Sequence, residues 1–309
     1  MCAVCHGEKG EGYKADQATA LAQPDFLASV SDEFLGFAIA DGRPDTRMSA
    51  WYSKRGGPLS EQDVRALIML LRSWQTSPAA TLDESPAKGD KKRGKAIFKR
   101  ECERCHGDKG PNVRIRERTF LAHASIGFLR YALHTGRAPT QMKSFTAKLG
   151  ERGIEDVLAY LTSLPSWPTP GPLGGQQPPP LPLGPVPLNP KGPAPRDFVA
   201  YPEMTAVDTV YAQFKRKARM VLLDARVPSD YMQLHIAGAV SVPFYDPSPY
   251  LKALPKNTWL VCYCGCPHAE SGALAEKLIA AGFKQVTVLN EGLGDWVAKG
   301  YATNSGENP

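Results

Sequence analysis

Three textures of apolar and polar positions follow one another along the chain. In "LSEQDVRALIMLLRSW" (residues 59–74) and "GIEDVLAYLTSL" (153–164) apolar residues recur every three to four positions, which predicts amphipathic helices. Ser60 with Asp63 reads as a capping pair at the start of the first, with Asp in place of the usual Glu. "KKRGKAIFKRE" (91–101) predicts another helix. Between Pro165 and Pro195 stand 13 prolines in 31 positions, a stretch without the periodicity or backbone donors of a helix or central strand. Beyond it, "MVLLDA" (220–225), "WLVCY" (259–263) and "VTVLN" (286–290) are short, nearly unbroken apolar runs, as expected of strands buried on both faces. The helical stretch "SGALAEKLIAAG" (271–282) joins the last two, and β-α-β predicts a parallel α/β domain.

The helical part contains an internal repeat. "FLGFAIADGRPDTRMSAW" (34–51) matches "FLRYALHTGRAPTQMKSF" (128–145) at a constant offset of 94 residues. The expected organisation is multidomain: two small all-α domains (1–79 and 88–167), a Pro-rich linker (168–203) and an α/β domain with a parallel sheet (204–305). As an extended spacer, at about 3.1 Å per residue, the proline-rich stretch that ends at Pro195 would reach on the order of 90 Å. The alternative for it is a Pro-rich peptide that recruits a partner module.

Composition narrows the class. The chain has 309 residues, 42% apolar and 22% charged, the balance of a globular protein. No run approaches the roughly 18 apolar residues of a membrane helix, so no transmembrane segment is expected. The net charge of +6 is unevenly divided. Residues 1–79 carry 8 Lys+Arg against 10 Asp+Glu, whereas residues 88–167 carry 17 against 8. That segment is expected to dock on an acidic partner surface. Nucleic acid is not an expected partner, because the basic segment lacks the interleaved aromatics of a stacking platform.

The seven cysteines fall in three tight clusters, a pattern of sites and not of a disulfide framework. "MCAVCHGEKG" opens the chain and "CERCHGDKG" recurs at 102–110. On a helical turn the two sulfurs of Cys-x-x-Cys share a face, and the adjacent histidine can present its imidazole to the centre of a planar ligand. Two thioethers and one axial nitrogen are the attachment chemistry of c-type haem. Met48 and Met142 follow the histidines by 42 and 36 residues and offer a thioether for the opposite face of the iron. The expectation is two covalently bound haem c groups, on Cys2 and Cys5 and on Cys102 and Cys105. His6 with Met48 and His106 with Met142 would be the axial ligands. The alternatives are a shared structural zinc, methionines that only fill the core, and His123 or His134 in place of Met142. On these motifs residues 1–79 and 88–167 resemble class I-type cytochrome c domains, with "KGPN" (109–112) similar to the loop that supports the proximal histidine. Ser49 and Lys143 stand where many relatives have proline after the methionine.

Attachment of this kind resembles that of exported proteins, yet no signal segment opens the sequence, and the first repeat lacks the helix that precedes the cysteines in the second. The expectation is a periplasmic or otherwise exported protein whose leader and first helix lie upstream of residue 1.

In the C-terminal part, Asp224 and Arg226 follow a strand, "HIAGA" occupies 235–239, Cys264 closes the strand "WLVCY", and "GLGDW" comes late. These features resemble the rhodanese family over about 100 residues, which implies a sulfurtransferase with a persulfide on Cys264. The substrate loop would be Gly265, Cys266, Pro267, His268, Ala269, Glu270 and Ser271. Cys262 reads as a buried strand residue, while Cys266 is open as a resolving thiol, a second acceptor or a loop residue. The loop has no Arg or Lys, and the Glu270 carboxylate is expected to disfavour a dianion such as thiosulfate. A metal site of Cys264, Cys266 and His268 is the alternative chemistry. The function expected is a dihaem electron carrier coupled to a sulfurtransferase, in sulfur-compound metabolism or respiratory electron transfer, with a small sulfur donor and a redox partner. The rival is an electron carrier whose rhodanese domain is a silent docking or sensing module.

Overall fold

The computed structural model describes residues 2–12, 18–43, 46, 48–107, 110, 112–138, 140–165, 186, 189–265 and 268–309. Most of the Pro-rich linker, together with Cys266 and Pro267, lies outside the described residues. The chain divides into a unit of Cys2–Met48 with Leu59–Gln176 and a unit of Ser49–Pro58 with Gln177–Pro309. Among the described residues no helix is long and apolar enough to cross a membrane.

The first unit is helical. Its first repeat contains α1 (Ala3–His6), α2 (Pro24–Ser29), α3 (Asp32–Ala40) and α4 (Glu61–Ser73). The second contains α5 (Lys91–Glu101), α6 (Glu103–His106), α7 (Arg118–His123), α8 (Ile126–Thr135) and α9 (Thr146–Thr162). The sequence offset is also a structural one, because the helix starts are written by equivalent caps. The Ser31 hydroxyl accepts the Phe34 N–H and the Ser125 hydroxyl accepts the Phe128 N–H, each at 3.1 Å. Gln23 and Glu117 cap α2 and α7 in the same way. The Ser60–Asp63 capping box is present, with its two bonds at 3.2 and 2.8 Å. The predicted final helix of the second repeat is longer than expected and broken at Gly150, whose φ of 61° and ψ of 175° leave the helical region.

The repeats meet through four phenylalanines at equivalent positions. Phe34 and Phe128 lie 5.3 Å apart, and the cross pairs Phe34–Phe120 and Phe26–Phe128 are T-shaped at 5.7 and 6.3 Å. Exchanging the repeats exchanges the cross pairs, as in an isologous interface. In the second repeat α5 packs closely against α9. A Cβ on Gly94 would lie 1.8 Å from the Asp156 carbonyl oxygen, so only glycine permits the approach. Beside it Phe98 meets Tyr160 at 5.6 Å, and Arg93 pairs with the buried Asp156 at 2.8 Å.

The second unit is α/β. Its strands are β1 (Met204–Thr205), β2 (Met220–Asp224), β3 (His235–Ile236), β4 (Val240–Ser241), β5 (Trp259–Tyr263), β6 (Val286–Leu289) and β7 (Thr303–Asn304). Its helices are α10 (Val207–Lys215), α11 (Pro228–Gln233), α12 (Ala269–Ala280) and α13 (Gly292–Ala298). Five strands form a parallel sheet in the order β1-β6-β5-β2-β4, and β3 pairs antiparallel with β7 apart from it. The strand runs read from the sequence are the inner strands, buried along almost all their length. From β5 the chain continues through α12 to β6 on one side; from β2 it continues to β4 on the other. The carboxyl ends of β2 and β5 are therefore a topological switch point, where open α/β sheets leave a crevice. Ser49–Pro58 joins this unit, with the Trp51 ring 6.1 Å from Phe244 and 6.3 Å from Tyr245. The end of the Pro-rich stretch belongs to it too, since the Arg219 N–H donates to the Pro193 carbonyl at 2.9 Å.

Candidate functional site

Each Cys-x-x-Cys-His stretch is one helical turn. The His6 and His106 amides donate to the Cys2 and Cys102 carbonyls at 2.9 and 2.8 Å, which sets both sulfurs of each pair on one side. Cys2, Cys5, Cys102 and Cys105 are not joined in disulfides. Burial, with a smaller contribution from Glu101, pushes the Cys102 thiol up to about 11. His6 Nδ1–H donates to the Thr19 carbonyl at 2.9 Å, and His106 Nδ1–H donates to the Val113 carbonyl at 2.8 Å. A carbonyl can only accept, so the bond fixes the tautomer and leaves the Nε2 lone pair available to a metal. Burial also holds both imidazoles below their ordinary value, partly offset by these bonds, and so favours the neutral form. Thr19 and Val113 stand 94 residues apart and act through main-chain oxygens. The supporting group in the second repeat is thus Val113, one residue beyond "KGPN"; Lys109 and Pro111 lie outside the described residues.

The two methionines sit on equivalent turns. The Arg43 N–H donates to the Met48 carbonyl at 2.8 Å, and the Arg137 N–H donates to the Met142 carbonyl at 2.7 Å. The Met48 and Met142 amides donate to the hydroxyls of Thr46 and Thr140, each at 3.1 Å. Thr46 also donates to the Arg43 carbonyl at 2.6 Å. These threonines were legible as identities in the aligned repeat, although nothing in their residue type announced the role. Of the histidines weighed against Met142, His123 stacks on Phe37 at 3.6 Å and His134 pairs with Glu151 at 3.6 Å.

The residues of the α/β unit converge on the switch point. Asp224 ends β2 beside Tyr263, which ends β5. Arg226 turns back onto Asp224 through Nε at 2.9 Å and Nη2 at 2.6 Å. Burial alone would weaken this guanidinium, but Asp224 outweighs it and holds the cation firmly charged. Cys264 follows β5, is 1% exposed, and has its Sγ 3.3 Å from the Ser271 hydroxyl in the first turn of α12. Gly265 lies against Arg226, to whose Cδ a Cβ there would come within 3.6 Å. His268 caps α12 in the left-handed region at φ 79°, and Ala269, Glu270 and Ser271 open the helix. Burial drives the Glu270 carboxyl well above its ordinary value, with Cys264 and then Asp230 adding to the effect. Asp230, which the sequence reading missed, is raised in the same way, mainly by burial, although the Ser49 hydroxyl donates to it at 2.7 Å. Cys262 is fully buried, and burial raises its thiol, as a strand residue should behave. In "HIAGA", His235 is buried and stacks on Tyr231 at 3.8 Å, a packing role.

Family comparisons agree with both geometries. Residues 206–299 match the model described as rhodanese-like domain. Residues 89–161 match the model described as cytochrome c oxidase, cbb3-type, subunit III. The chain carries a cytochrome c-type domain and a rhodanese-like domain. Solved structures similar to it include a rhodanese-like domain from Anabaena, at 26% identity over 34% of this chain and 80% of that one, with a TM-score of 0.32. A second structure from the same Anabaena protein, again of a rhodanese-like domain, is 32% identical over 28% of this chain and 93% of that one, with a TM-score of 0.27. A thiosulfate sulfurtransferase from Pseudomonas aeruginosa is 24% identical over 34% of this chain and 21% of that one, with a TM-score of 0.30. No curated protein matches the chain. The cytochrome c-type domain implies haem c. Its residues fit that group: a thiol pair on one turn, an imidazole with its Nε2 left open, and a methionine held by its own turn.

Proposed function

We propose that the chain is an exported dihaem electron carrier fused to a sulfurtransferase. The observation that carries the reading is the duplicated histidine support, Nδ1–H to a carbonyl in both repeats. A histidine so held is oriented for metal ligation whichever repeat it belongs to. When bound, haem supplies a one-electron iron couple. Cys2, Cys5, Cys102 and Cys105 would anchor it covalently, and His6, His106, Met48 and Met142 would supply imidazole nitrogens and thioether sulfurs as ligand atoms.

In the rhodanese-like domain Cys264 is the nucleophile. Its thiolate attacks the outer, sulfane sulfur of a donor R–S–SH: the new Cys264 S–S bond forms, the S–S bond of the donor breaks, and the donor leaves as the thiol R–SH after taking up a proton. Ser271 donates to the cysteine sulfur, and the loop offers a dianion no Arg or Lys, only the Glu270 and Asp230 carboxyls whose protons burial holds, which favours small donors of low charge. The near-complete burial of Cys264 favours the second reading, a silent docking module, in which no sulfur moves.

Mass determination and a visible spectrum on protein matured in an exporting compartment should reveal two added haems; colourless protein at its polypeptide mass sinks the cytochrome reading. Sulfur transfer to cyanide, present in wild type and absent in Cys264→Ala, separates the two rhodanese readings. The basic second repeat is expected to steer an acidic redox partner, with rates that fall as salt rises.

A further inference from the structure

One segment of the first repeat's sequence is built into the α/β unit. Ser49–Pro58 directly follows Met48 in the chain but packs with Gln177–Pro309. It is folded on itself: the Arg55 and Gly57 N–H groups donate to the Tyr52 carbonyl at 2.8 and 3.0 Å, and Gly56 turns at φ 83°. Ser49, Trp51 and Tyr52 are at most 8% exposed. The contacts are with two parts of the switch point. On α11, which follows β2, Asp230 accepts from the Ser49 hydroxyl at 2.7 Å, and a Cβ on Gly56 would come within 3.1 Å of Ser229. On the loop after β4, Phe244 and Tyr245 meet the Trp51 ring edge-on at 6.1 and 6.3 Å. The Phe244 N–H donates to the Ala225 carbonyl at 2.9 Å, which ties the two parts together. Each brings a group near the sulfur site. Burial, then Cys264, then Asp230 raise the Glu270 carboxyl; burial raises the Tyr245 hydroxyl, with Glu270 among the lesser causes. Such coupling fades with distance, which sets Asp230, Tyr245, Glu270 and Cys264 around one crevice. Cys264 is 1% exposed there.

We propose that Ser49 and Trp51 are specificity-determining residues of the sulfurtransferase: they hold Ser49–Pro58 as a roof that admits small sulfur donors to Cys264 and excludes bulky ones. This rests on the sulfurtransferase reading above. Ser49 latches the roof to α11 through Asp230, and Trp51 pins it to the loop after β4. With hydrogen disulfide as donor, the Cys264 thiolate bonds to one sulfur of HSSH, the S–S bond of the donor breaks, and hydrosulfide leaves with the bonding pair. The roof accounts for the burial of Cys264 without making it inert.

The test labels the full-length holoprotein with iodoacetamide and locates the modified cysteine by tandem mass spectrometry. Ser49→Ala should label Cys264 about tenfold faster, equivalent to about 1.4 kcal/mol, the scale of one hydrogen bond to a buried carboxyl. Trp51→Ala, which removes the larger contact, should exceed that; if it fails to fold, Ser49→Ala decides alone. Glu203→Gln, exposed on the same unit, should change nothing. Cys262, fully buried on β5, is the internal standard. It stays unlabelled when only the roof lifts; labelling of Cys262 in step with Cys264 would mean general unfolding and would overturn the proposal. Unchanged Cys264 labelling in folded Ser49→Ala would overturn it as well. Sulfur transfer to cyanide, above the uncatalysed rate, gives a second readout. Wild type should prefer hydrogen disulfide to glutathione persulfide, and the roof variants should narrow that preference. Faster labelling with an unaltered preference would refute the specificity role. Absence of transfer from every donor would instead defeat the sulfurtransferase reading, and the labelling would still decide the roof.

Discussion

Replacing Thr46 by Val keeps the shape of the side chain and removes two hydrogen bonds from the Met48 turn. The hydroxyl accepts the Met48 N–H at 3.1 Å and donates to the Arg43 carbonyl at 2.6 Å. A typical hydrogen bond contributes about 0.5–1.5 kcal/mol net, and Thr46 is exposed, so the lower half of that range applies to each. The closed turn should lose about 1–2 kcal/mol relative to an open one. At 1.4 kcal/mol per decade, the open fraction rises roughly 5- to 25-fold. An external ligand that needs the open turn then binds more tightly by the same factor. Spectrophotometric titration of the ferric holoprotein with imidazole measures it directly. Thr46→Ser, which retains both bonds, should behave as wild type. At Thr140 the hydroxyl makes the amide bond, at 3.1 Å, without a counterpart to the second. Thr140→Val should therefore give roughly half the effect in free energy. A folded Thr46→Val protein that binds imidazole no more tightly than wild type would refute the idea that this hydroxyl holds the methionine turn shut.

Three further outcomes are expected. Gly94→Ala gains about 1 kcal/mol of helix propensity, but its Cβ would sit 1.8 Å from the Asp156 oxygen and 2.9 Å from Tyr160 Cβ, and the forced separation of α5 and α9 should cost more. Thermal melts of the holoprotein should show a net loss; a higher Tm would contradict the close approach. Arg226→Met leaves the Asp224 carboxylate buried and unpaired, which should cost about 3–5 kcal/mol in urea unfolding followed by circular dichroism. Glu270 binds its proton more tightly folded than unfolded, so its contribution is fully present below the ordinary value of 4.5 and declines as pH rises above it. Glu270→Gln should flatten that decline, and identical pH profiles for the two proteins would rule out the buried acid.

Much of the fold was legible because its signals are local. The strands 220–224, 259–263 and 286–289 announce themselves by unbroken apolar runs, and Ser60 with Asp63 writes its own helix start. The Cys-x-x-Cys-His turns carry their chemistry in residue type. What escaped is carried by main chain or by distant contact. Thr19 and Val113 support the histidines with carbonyl oxygens, which every residue possesses. Asp230 matters through burial near Glu270, and its Ser49 partner lies 181 positions away. Gly150 interrupts a helix that periodicity continues straight through.

The outermost strands of the parallel sheet, β1 and β4, are only two residues long. Most of the unpaired N–H and C=O groups that a long border would expose are therefore missing, and a passing chain finds little to zip onto. A sheet trimmed in this way can stay single at high concentration, so the unit's association with other molecules is left to its side chains.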